Sequence, residues 1–309
     1  MLRVAANSTF SGISVTPRTE LKSRKLGSFK FSSERKVFKN ITSGFPCQHS
    51  KRRTVVAMAV KRSYCIFVNG DPPDFIINKY GDYGQQYLRM LREGELEEDW
   101  DIYRGFEGQL PDDETVSKYD ALIFTGSKKD AYRTDDWLLR LRAIIEAAHA
   151  RKQKILGICF GAQLVATALG GKVAPSNSGM QMGAVECTLV GDDPLLPSLI
   201  GEGSRYAIHE IHRDEIQALP CGARLLASST LCPVEAFAMG DNLLALQGHP
   251  EFSKDFMECY LTTIAEQGLF PEDKCREWLS SLGSHDIDTP KWEAACRRFV
   301  KGGAGSGSS

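Results

Sequence analysis

The chain has 309 residues, 42% of them hydrophobic and 25% charged, which is the composition of a globular protein of one or two domains. We find no run of about 18 apolar residues, which argues against a transmembrane helix. The net charge of -1 conceals an asymmetry, because residues 1–62 contain 14 of the 38 Lys and Arg residues but 2 of the 39 acidic residues.

The basic head is rich in Ser and Thr and shows no hydrophobic periodicity. This composition is typical of an organelle transit peptide, and small residues near Ala57 and Ala59 suit its removal. We therefore expect residues 1–62 to be a transit peptide, and the Ser content favours the plastid over the mitochondrion. The alternatives are an unprocessed tail on a cytosolic protein and a nucleic-acid contact, for which the head has little aromatic interleaving.

Strands and helices alternate from residue 63 onwards. Strands are predicted at "SYCIFVNG", "WDIYRG", "YDALIFTGS" and "KILGI", and helices at "GQQYLRMLREG", "TDDWLLRLRAIIEAAHARK" and "GAQLVATALGG". Alternation with short links predicts crossover units and a parallel sheet, so the fold class is α/β.

The second half of the chain predicts five further strands separated by turn signals. They are "AVECTLV", "SRYAIHEIH", "ARLLASS", "VEAFAM" and "NLLALQG". Their quick succession favours mixed or antiparallel pairing. Residues 253–267 and 272–299 are predicted to be helical, and residues 301–309 are predicted to be a flexible Gly- and Ser-rich tail.

The segment "GICFG" places Cys159 between Gly157 and Gly161, where a predicted strand gives way to a helix. A sharp strand-to-helix turn exposes a nucleophile, and flanking glycines relieve crowding at strained backbone angles. The helix N-terminus favours a thiolate, and the amide of Phe160 can point at a developing oxyanion. A cysteine beside a strand is more often a packing residue, so the pattern requires a base elsewhere.

The segment "LLALQGHPEF" supplies a candidate base, because His249 follows an apolar strand at a glycine. Glu251 lies two residues on, so in an extended segment it projects on the same side and can orient the imidazole. A structural turn containing a His–Glu pair is the alternative.

The remaining cysteines and histidines give little support for a metal site. The nine cysteines are odd in number, irregularly spaced and without a CxxC pair, which argues against a disulfide framework or a structural zinc site. His209 and His212 have the spacing of a metal pair, but no third ligand is evident. We therefore expect no metal and no cofactor.

The segments "GICFGAQ", "QGHPEF" and "FTGS", in their order and spacing, resemble the class I glutamine amidotransferase family over roughly residues 63–270. Within that family, "YDALIFTGSKKDAY", "HRDEIQALP" and "VEAFAMGDNLLALQGHPEF" look most like plant γ-glutamyl peptidases. The resemblance implies a flavodoxin-like three-layer sandwich with a mixed, mostly parallel sheet, followed by a C-terminal helical extension at residues 271–300.

The resemblance also implies roles for individual residues. Cys159 becomes the nucleophile, His249 the base and Glu251 its orienting acid. The backbone of Phe160 and of the loop Gly126–Ser127 supplies the oxyanion hole, and Gln163 helps to seat the glutamyl group.

One position departs from the relatives. Ala162 stands where a histidine is common. We interpret the position as a packing position, so the change bears on the shape of the pocket rather than on the reaction.

By implication the protein is a cysteine hydrolase that cleaves the γ-glutamyl bond of glutathione, glutathione conjugates or related small molecules through a thioester. One alternative is a glutaminase subunit that supplies ammonia to a separate synthase, since the chain has no ATP-binding loop of its own. The other is a non-catalytic interaction protein on the same fold. We expect neither a nucleic-acid nor a membrane partner.

Overall fold

The computed structural model describes residues 61–302 except 95, 96, 202, 204, 286 and 288. The predicted transit peptide, apart from Lys61 and Arg62, lies outside the described residues. The predicted flexible tail beyond Gly302 also lies outside them, so both remain predictions.

Eleven strands occur among the described residues. Their bounds are β1 Arg62–Val68, β2 Glu98–Arg104, β3 Ala121–Phe124, β4 Lys154–Ile158, β5 Lys172–Pro175, β6 Gln181–Leu189, β7 Arg205–His212, β8 Asp214–Ala218, β9 Arg224–Ser228, β10 Ala236–Met239 and β11 Leu243–Leu246. Each strand predicted from the sequence is present, whereas the short strands β5 and β8 were not predicted.

Nine α-helices are described in the same part of the chain. Their bounds are α1 Asp74–Tyr80, α2 Tyr83–Leu91, α3 Asp113–Val116, α4 Asp136–Ala150, α5 Phe160–Ala168, α6 Leu195–Ile200, α7 Lys254–Glu266, α8 Glu272–Ser281 and α9 Thr289–Lys301. The helices that the sequence did not predict, α1, α3 and α6, span four to seven residues, too few to display a helical period.

Nine strands form one sheet in the order β2-β1-β3-β4-β11-β10-β9-β6-β7. The five strands from β2 to β11 pair in parallel, and the remaining pairs are antiparallel. Strands β5 and β8 form a separate antiparallel pair. The sheet is therefore mixed, as predicted, and β4 lies in its parallel part.

The two faces of the sheet carry separate hydrophobic cores, and strand β1 shows how the sequence creates them. Tyr64, Ile66 and Val68 point to one face and pack with α2 and α7 to α9. Cys65 and Phe67 point to the other face and pack with α4 and α5. Both sets are almost completely buried, as expected for a strand covered on both sides. The layers are helix, sheet and helix, which confirms the predicted sandwich.

The C-terminal stretch predicted to be helical contains two helices, α8 and α9, rather than one. Gly283 follows the end of α8, and Pro290 lies in the first turn of α9. Backbone N–H groups in the first turn have no acceptor within the helix, so proline, which lacks an N–H, is tolerated there. Trp292 Nε1 on α9 donates to the carbonyl of Ala207 in β7 at 2.8 Å. The last helix is thereby attached to an edge strand of the sheet.

No helix within the described ranges is long and apolar enough to cross a membrane. The longest, α4, has 15 residues and places Leu138, Leu141 and Ile145 against the sheet. Its apolar residues form one face, which is typical of a helix that covers a sheet in a globular domain.

Candidate active site

Cys159 lies at the junction of β4 and α5 in an unusual backbone conformation. Its φ is 53° and its ψ is -111°, and the other non-glycine residue with positive φ in the described part of the chain is Lys152. A residue with a Cβ in such a conformation costs of order 1–3 kcal/mol and persists only where its surroundings impose it. The predicted strand-to-helix turn is therefore present, and it holds the thiol at the N-terminus of α5.

The two glycines around Cys159 are required by close backbone contacts. A Cβ on Gly157 would lie 2.7 Å from the carbonyl oxygen of Gly161, and a Cβ on Gly161 would lie 2.1 Å from that of Phe124. Both distances are far below van der Waals contact, and both involve backbone atoms that cannot rotate away. The glycines thus allow α5 to begin directly above β3 and β4.

His249 and Glu251 follow β11, the strand beside β4. Nδ1 of His249 lies 2.8 Å from Oε1 of Glu251, and both side chains are almost fully buried. The amide of His249 donates to the carbonyl of His209 at 2.8 Å, which forms an isolated bridge to β7. Because the carboxylate faces Nδ1, the proton of a neutral imidazole belongs there and Nε2 is the free nitrogen.

The local geometry of this pair differs from the extended segment expected from the sequence. Residues Pro250 and Glu251 lie in a turn, and the amide of Phe252 donates back to the carbonyl of His249 at 3.4 Å. Proline at the start of this turn fixes φ and favours it. The carboxylate therefore reaches the imidazole across a turn.

Cys159 and His249 both lie against Gly126. A Cβ on Gly126 would be 3.2 Å from Cε1 of His249 and 3.9 Å from Cβ of Cys159. Nε2 of His249 has no hydrogen-bond partner among the described residues, and Sγ of Cys159 faces the carbonyl of Ile211 at 3.7 Å. The thiol and the free imidazole nitrogen thus belong to one site.

The charges of the site favour a protonated imidazole. Burial by itself lowers the pKa of His249, but the carboxylate of Glu251 and the thiolate form of Cys159 outweigh it and raise the pKa to about 10. At neutral pH this arrangement favours the imidazolium form of His249. The N-terminus of α5 adds a partial positive charge next to the sulfur.

Two backbone amides near Cys159 are suitable donors for an oxyanion. The amide of Phe160 belongs to the first turn of α5, where the helix offers no acceptor. In the loop after β3, the amide of Gly126 donates to the hydroxyl of Tyr87 at 3.2 Å, whereas the amide of Ser127 has no acceptor in the described part of the chain. Of the two loop residues, Ser127 is therefore the better candidate.

Gln163 and Ala162, on α5, have different surroundings. Nε2 of Gln163 donates to the carbonyl of Asp214 at 2.7 Å and to Oε1 of Gln247 at 3.1 Å, so its side chain is held in place at the cavity wall. Ala162 is completely buried in the core between α5 and the sheet. Its environment agrees with the interpretation of a packing position.

A cavity of about 530 Å³ opens above Cys159, and Ser127, Gln163 and His249 also line it. Aromatic side chains form one wall, namely Tyr83, Phe252, Phe256, Tyr260 and Phe270. Charged side chains surround another part, namely Lys128, Lys129, Asp130, Arg213 and Asp214. This volume is in the usual range for a small-molecule site. Glu251, Phe160 and Gly126 lie behind the lining.

The two histidines considered as a metal pair have other partners. Nδ1 of His209 lies 2.8 Å from the carbonyl of Phe252, and Nδ1 of His212 lies 3.1 Å from that of Asp214. Burial lowers the pKa of His212 to about 4, so it is neutral. Within the described ranges, no group of three His, Cys, Asp or Glu residues is arranged to hold a metal ion.

Some residues of the site were not predicted from the sequence. Tyr87 was part of a predicted helix, and an aromatic residue at helical spacing is typical of a core. Phe252 was quoted within a motif without a role, yet its ring stacks on His249. No sequence signal marks Tyr87, because its contact with Gly126 depends on how α2 packs on the sheet.

Comparison with known proteins identifies the family of the chain. Residues 77–261 match the family model "Glutamine amidotransferase class-I". "Gamma-glutamyl peptidase 3" of Arabidopsis thaliana is 32% identical over 251 residues, which cover 80% of this chain and 100% of that relative. "Gamma-glutamyl peptidase 4" of the same plant is 31% identical and covers 79% of this chain and 97% of that relative.

A solved structure supports the same assignment at the level of the fold. A glutamine amidotransferase from Thermotoga maritima superposes with a TM-score of 0.59 at 18% identity, covering 78% of this chain and 99% of that one. At this identity the likeness shows the fold alone. Together, the family match, the relatives and the fold show that the chain belongs to the class I glutamine amidotransferase family.

Proposed function

We propose that the chain is a cysteine hydrolase that cleaves γ-glutamyl amide bonds, with Cys159 as nucleophile, His249 as base and Glu251 as orienting acid. The observation that carries the proposal is the 2.8 Å contact of Glu251 with Nδ1 of His249, which leaves Nε2 free beside Cys159. The relatives named γ-glutamyl peptidases support hydrolysis of a γ-glutamyl bond.

Acylation begins from the ion pair. The thiolate of Cys159 attacks the γ-carbonyl carbon, a C–S bond forms, and the carbonyl π electrons move to the oxygen. Collapse of this tetrahedral intermediate breaks the C–N bond, and the departing amine takes the proton from Nε2 of His249. The products are a γ-glutamyl thioester on Cys159, a free amine and a neutral imidazole.

Deacylation uses the neutral His249 as a base. Nε2 accepts a proton from water, and the oxygen of that water attacks the thioester carbon. The second tetrahedral intermediate expels the thiolate of Cys159 and releases glutamate, whose new γ-carboxylic acid loses its proton to solvent. The thiolate beside the imidazolium is thereby restored. Glu251 stabilises the imidazolium without becoming protonated.

The negatively charged oxygen of each tetrahedral intermediate requires hydrogen-bond donors. We assign this role to the amides of Phe160 and Ser127, which flank Cys159 from the helix and from the loop after β3. A single donor of this kind contributes roughly 2.7–4 kcal/mol to the transition state in acyl-transfer enzymes. The amide of Gly126 is not available to the oxyanion, because it already donates a hydrogen bond to the hydroxyl of Tyr87.

The cavity supports a substrate larger than glutamine. The volume of about 530 Å³ leaves space beyond a glutamyl group held near Gln163. The aromatic wall suits an apolar substituent, and Lys128 and Lys129 suit a carboxylate on the departing amine. Glutathione and its S-conjugates carry these groups, so we propose them as the substrate class.

A glutaminase subunit is the second candidate function. The matching family model is described as glutamine amidotransferase. Glutamine and glutathione carry the same γ-glutamyl group, but ammonia is the leaving group of glutamine and a peptide amine is that of glutathione. The proposed triad would act on both in the same way, so recognition of the leaving group determines which one is the substrate.

One experiment separates these functions. Purified residues 61–309 are incubated with glutathione, a glutathione S-conjugate or glutamine, and products are measured by mass spectrometry, with Cys159→Ala as control. We expect release of glutamate from the γ-glutamyl peptides and loss of turnover in the variant. Preferential hydrolysis of glutamine would support the glutaminase, and undiminished turnover by Cys159→Ala would refute the mechanism.

We also propose import into the plastid, since the basic, Ser-rich head is typical of a transit peptide. Residues 1–62 fused to a fluorescent protein provide the test, with a version in which their Arg residues are replaced by Glu as control. Fluorescence confined to the cytosol would contradict the proposal.

A further inference from the structure

Glu210 is a buried carboxyl group that the proposed mechanism does not use. It lies on β7 next to Ile211, whose carbonyl faces Sγ of Cys159. Its side chain is completely buried, and neither carboxylate oxygen has a hydrogen-bond partner among the described residues. A carboxylate in such a position loses its hydration without compensation, so the group must either pair with a cation or bind a proton.

The side chain that faces this carboxyl group is His212, two residues further along the same strand. Oε2 of Glu210 lies 3.5 Å from Nε2 of His212, and both side chains are almost completely buried. Nε2 of His212 also has no hydrogen-bond partner in the described part of the chain. An ionised carboxylate and an unprotonated Nε2 would direct lone pairs at each other across this distance. The contact therefore requires a proton between the two atoms.

The other ring nitrogen of His212 decides which group carries this proton. Nδ1 lies 3.1 Å from the carbonyl oxygen of Asp214, which can only accept a hydrogen bond. Nδ1 is therefore protonated, and a second proton on Nε2 would make the ring an imidazolium. Burial and the charge of His249 oppose the imidazolium and lower the pKa of His212 to about 4. Nε2 is thus an acceptor, and the proton belongs to Glu210.

The charges around Glu210 favour the same protonation state. Within the described ranges, no Lys or Arg residue forms an ion pair with Glu210, whose one such contact is that with His212. The other titratable groups whose charges act on it belong to Glu235, Cys159, Glu251, Cys187 and Cys232. All of them are negative when ionised. Burial and then the charge of Glu235 raise the pKa of Glu210 well above its usual value.

We propose that Glu210 is a positioning residue that remains a neutral carboxylic acid at physiological pH and donates its proton to Nε2 of His212. The contact extends to the cavity, because His212 lines it and shares the carbonyl of Asp214 with Nε2 of Gln163. Gln163 is the residue proposed to seat the glutamyl group, so the positioning role rests on the proposed function. The protonation state of Glu210 does not.

The pH dependence of stability tests for the proton directly. A carboxyl group that is neutral in the folded protein but ionised in the unfolded chain binds one additional proton on folding above pH 4.5. Urea denaturation of the wild type and Glu210→Gln between about pH 5 and 6.5 measures this proton, because the amide has none to lose. We expect the folding constant of the wild type, relative to that of the variant, to fall about tenfold per pH unit.

The same pH range separates the neutral acid from an ion pair. An imidazolium at His212 beside an ionised Glu210 would bind its additional proton only above pH 6.5, the usual pKa of histidine. A ratio of folding constants that stays the same between about pH 5 and 6.5 would therefore overturn the proposal.

The nitrogen chemical shifts of His212 provide a second measurement, which needs no substitution at Glu210. In the wild type containing isotope-labelled histidine, we expect one protonated and one unprotonated ring nitrogen for His212 at neutral pH. The signals of this ring are identified by their absence from the spectrum of His212→Asn. Two protonated nitrogens would reveal an imidazolium beside an ionised carboxylate and would refute the proposal.

Kinetics test the positioning role. Glu210→Met keeps an unbranched side chain of similar length but cannot donate a hydrogen bond, whereas Glu210→Gln keeps a donor in its amide. For a γ-glutamyl peptide, we expect KM to rise at least fivefold in Glu210→Met and to stay within twofold in Glu210→Gln.

Glu235→Met is the matched control for these variants. Glu235 is also a buried carboxyl group whose oxygens have no hydrogen-bond partner among the described residues, but it forms no ion pair with His212 there. We expect its KM to stay within twofold of the wild type. An equal increase in Glu210→Met and Glu235→Met would refute the positioning role.

These measurements separate the inference from the proposed function. A wild type that does not hydrolyse γ-glutamyl peptides would refute the proposed function, while the stability and chemical-shift tests of Glu210 would still decide its protonation state. The positioning role is then measured by the rate at which a glutamine-mimicking electrophile labels Cys159. We expect Glu210→Met to slow labelling and Glu210→Gln to preserve it, and equal rates in both would refute the role.

Discussion

The imidazole of His249 lies face to face with the ring of Phe252, with centroids 4.1 Å apart and planes 7° from parallel. Phe252 in turn stacks on Phe256 at 4.0 Å, so the row of rings continues along the cavity wall. An aromatic face stabilises a desolvated cation by about 2 kcal/mol. Phe252 therefore adds to the stabilisation that Glu251 provides for the imidazolium.

Replacing Phe252 should destabilise the imidazolium of His249. In Phe252→Leu we expect the pKa of His249 to fall below its wild-type value, because the imidazolium loses its aromatic neighbour. An NMR titration of the His249 ring measures this pKa. Phe256→Leu is the control, since Phe256 belongs to the same row of rings but stacks on Phe252 rather than on His249. Identical pH profiles for the two variants would show that stacking on His249 has no effect on the charge.

The backbone strain at Cys159 predicts that glycine stabilises this position. Cys159→Gly relieves the positive φ, whereas Cys159→Ala keeps a Cβ in the same conformation. We expect the free energy of unfolding of the glycine variant to exceed that of the alanine variant by about 1–2 kcal/mol, and we expect both variants to be inactive. Urea denaturation of the two variants measures the difference. Equal stabilities would mean that the turn holds no strain.

The close approach of α5 to β3 predicts a severe effect of a single methyl group. In Gly161→Ala the new Cβ would lie 2.1 Å from the carbonyl oxygen of Phe124, so the helix must move. We expect a loss of more than about 3 kcal/mol in unfolding free energy, or failure to fold. Gly94→Ala is the control, because no atom of the described residues lies within 4 Å of a Cβ placed there. A fully active Gly161→Ala enzyme would contradict the described packing.

The raised pKa of His249 predicts how stability depends on pH. A histidine whose pKa rises from 6.5 to about 10 on folding contributes stability below pH 6.5 and loses it as the pH rises through 10. The unfolding free energy should therefore fall between pH 7 and 10. In Glu251→Gln the fall should be smaller, since the charge of Glu251 is the main cause of the increase. Urea titrations at each pH measure both slopes, and parallel curves would exclude this role of Glu251.

Glu251→Gln should also lower kcat, by roughly 10³–10⁴-fold, as expected when the acid of a triad becomes neutral. KM should change little, because Glu251 lies behind the cavity lining. Retention of a tenth or more of the wild-type kcat would indicate that the imidazole is oriented by other contacts.

The two lysines at the cavity predict a preference for a carboxylate on the leaving group. Neither Lys128 nor Lys129 forms an ion pair in the described part of the chain, whereas Arg213 is bound by Asp130 and Asp214. In Lys128→Gln we expect KM to rise about tenfold for a γ-glutamyl dipeptide, as befits the loss of one charge-assisted hydrogen bond. Lys118→Gln, outside the cavity, is the control.

The C-terminal amide of the same dipeptide completes this test. It lacks the carboxylate, so its KM should be equal for the wild type and Lys128→Gln. An equal increase for both substrates would show that Lys128 has a role other than recognition of the carboxylate.

Much of the fold and site follows from local rules. The alternation of strand and helix patterns predicted the parallel half of the sheet, and the glycines around Cys159 predicted the sharp turn. Each of these depends on residues close together in the chain, so pattern and outcome are directly connected. The expected contact between His249 and Glu251 is present, although a turn at Pro250 replaces the expected extended segment. Their catalytic roles stay a prediction.

Other features depend on packing between distant segments and have no local signal. The contact of Tyr87 with Gly126 joins residues 39 positions apart, and nothing in either segment indicates it. The break between α8 and α9 was also missed, because apolar residues continue at helical spacing on both sides of it. Its effect appears in the placement of Trp292 on β7.

The attachment of α9 to the sheet bears on whether the protein can lose its C-terminal helix. Ala207 receives the indole proton of Trp292, and two residues further along the same strand the carbonyl of His209 holds the amide of His249. Thr289 donates to the carbonyl of Phe252 at 3.3 Å. A protein cut before residue 289 would retain every residue of the proposed triad, yet the backbone that carries the imidazole would lose the contacts that Thr289 and Trp292 make with its neighbours. We therefore expect removal of α9 to alter the geometry of the proposed site from a distance.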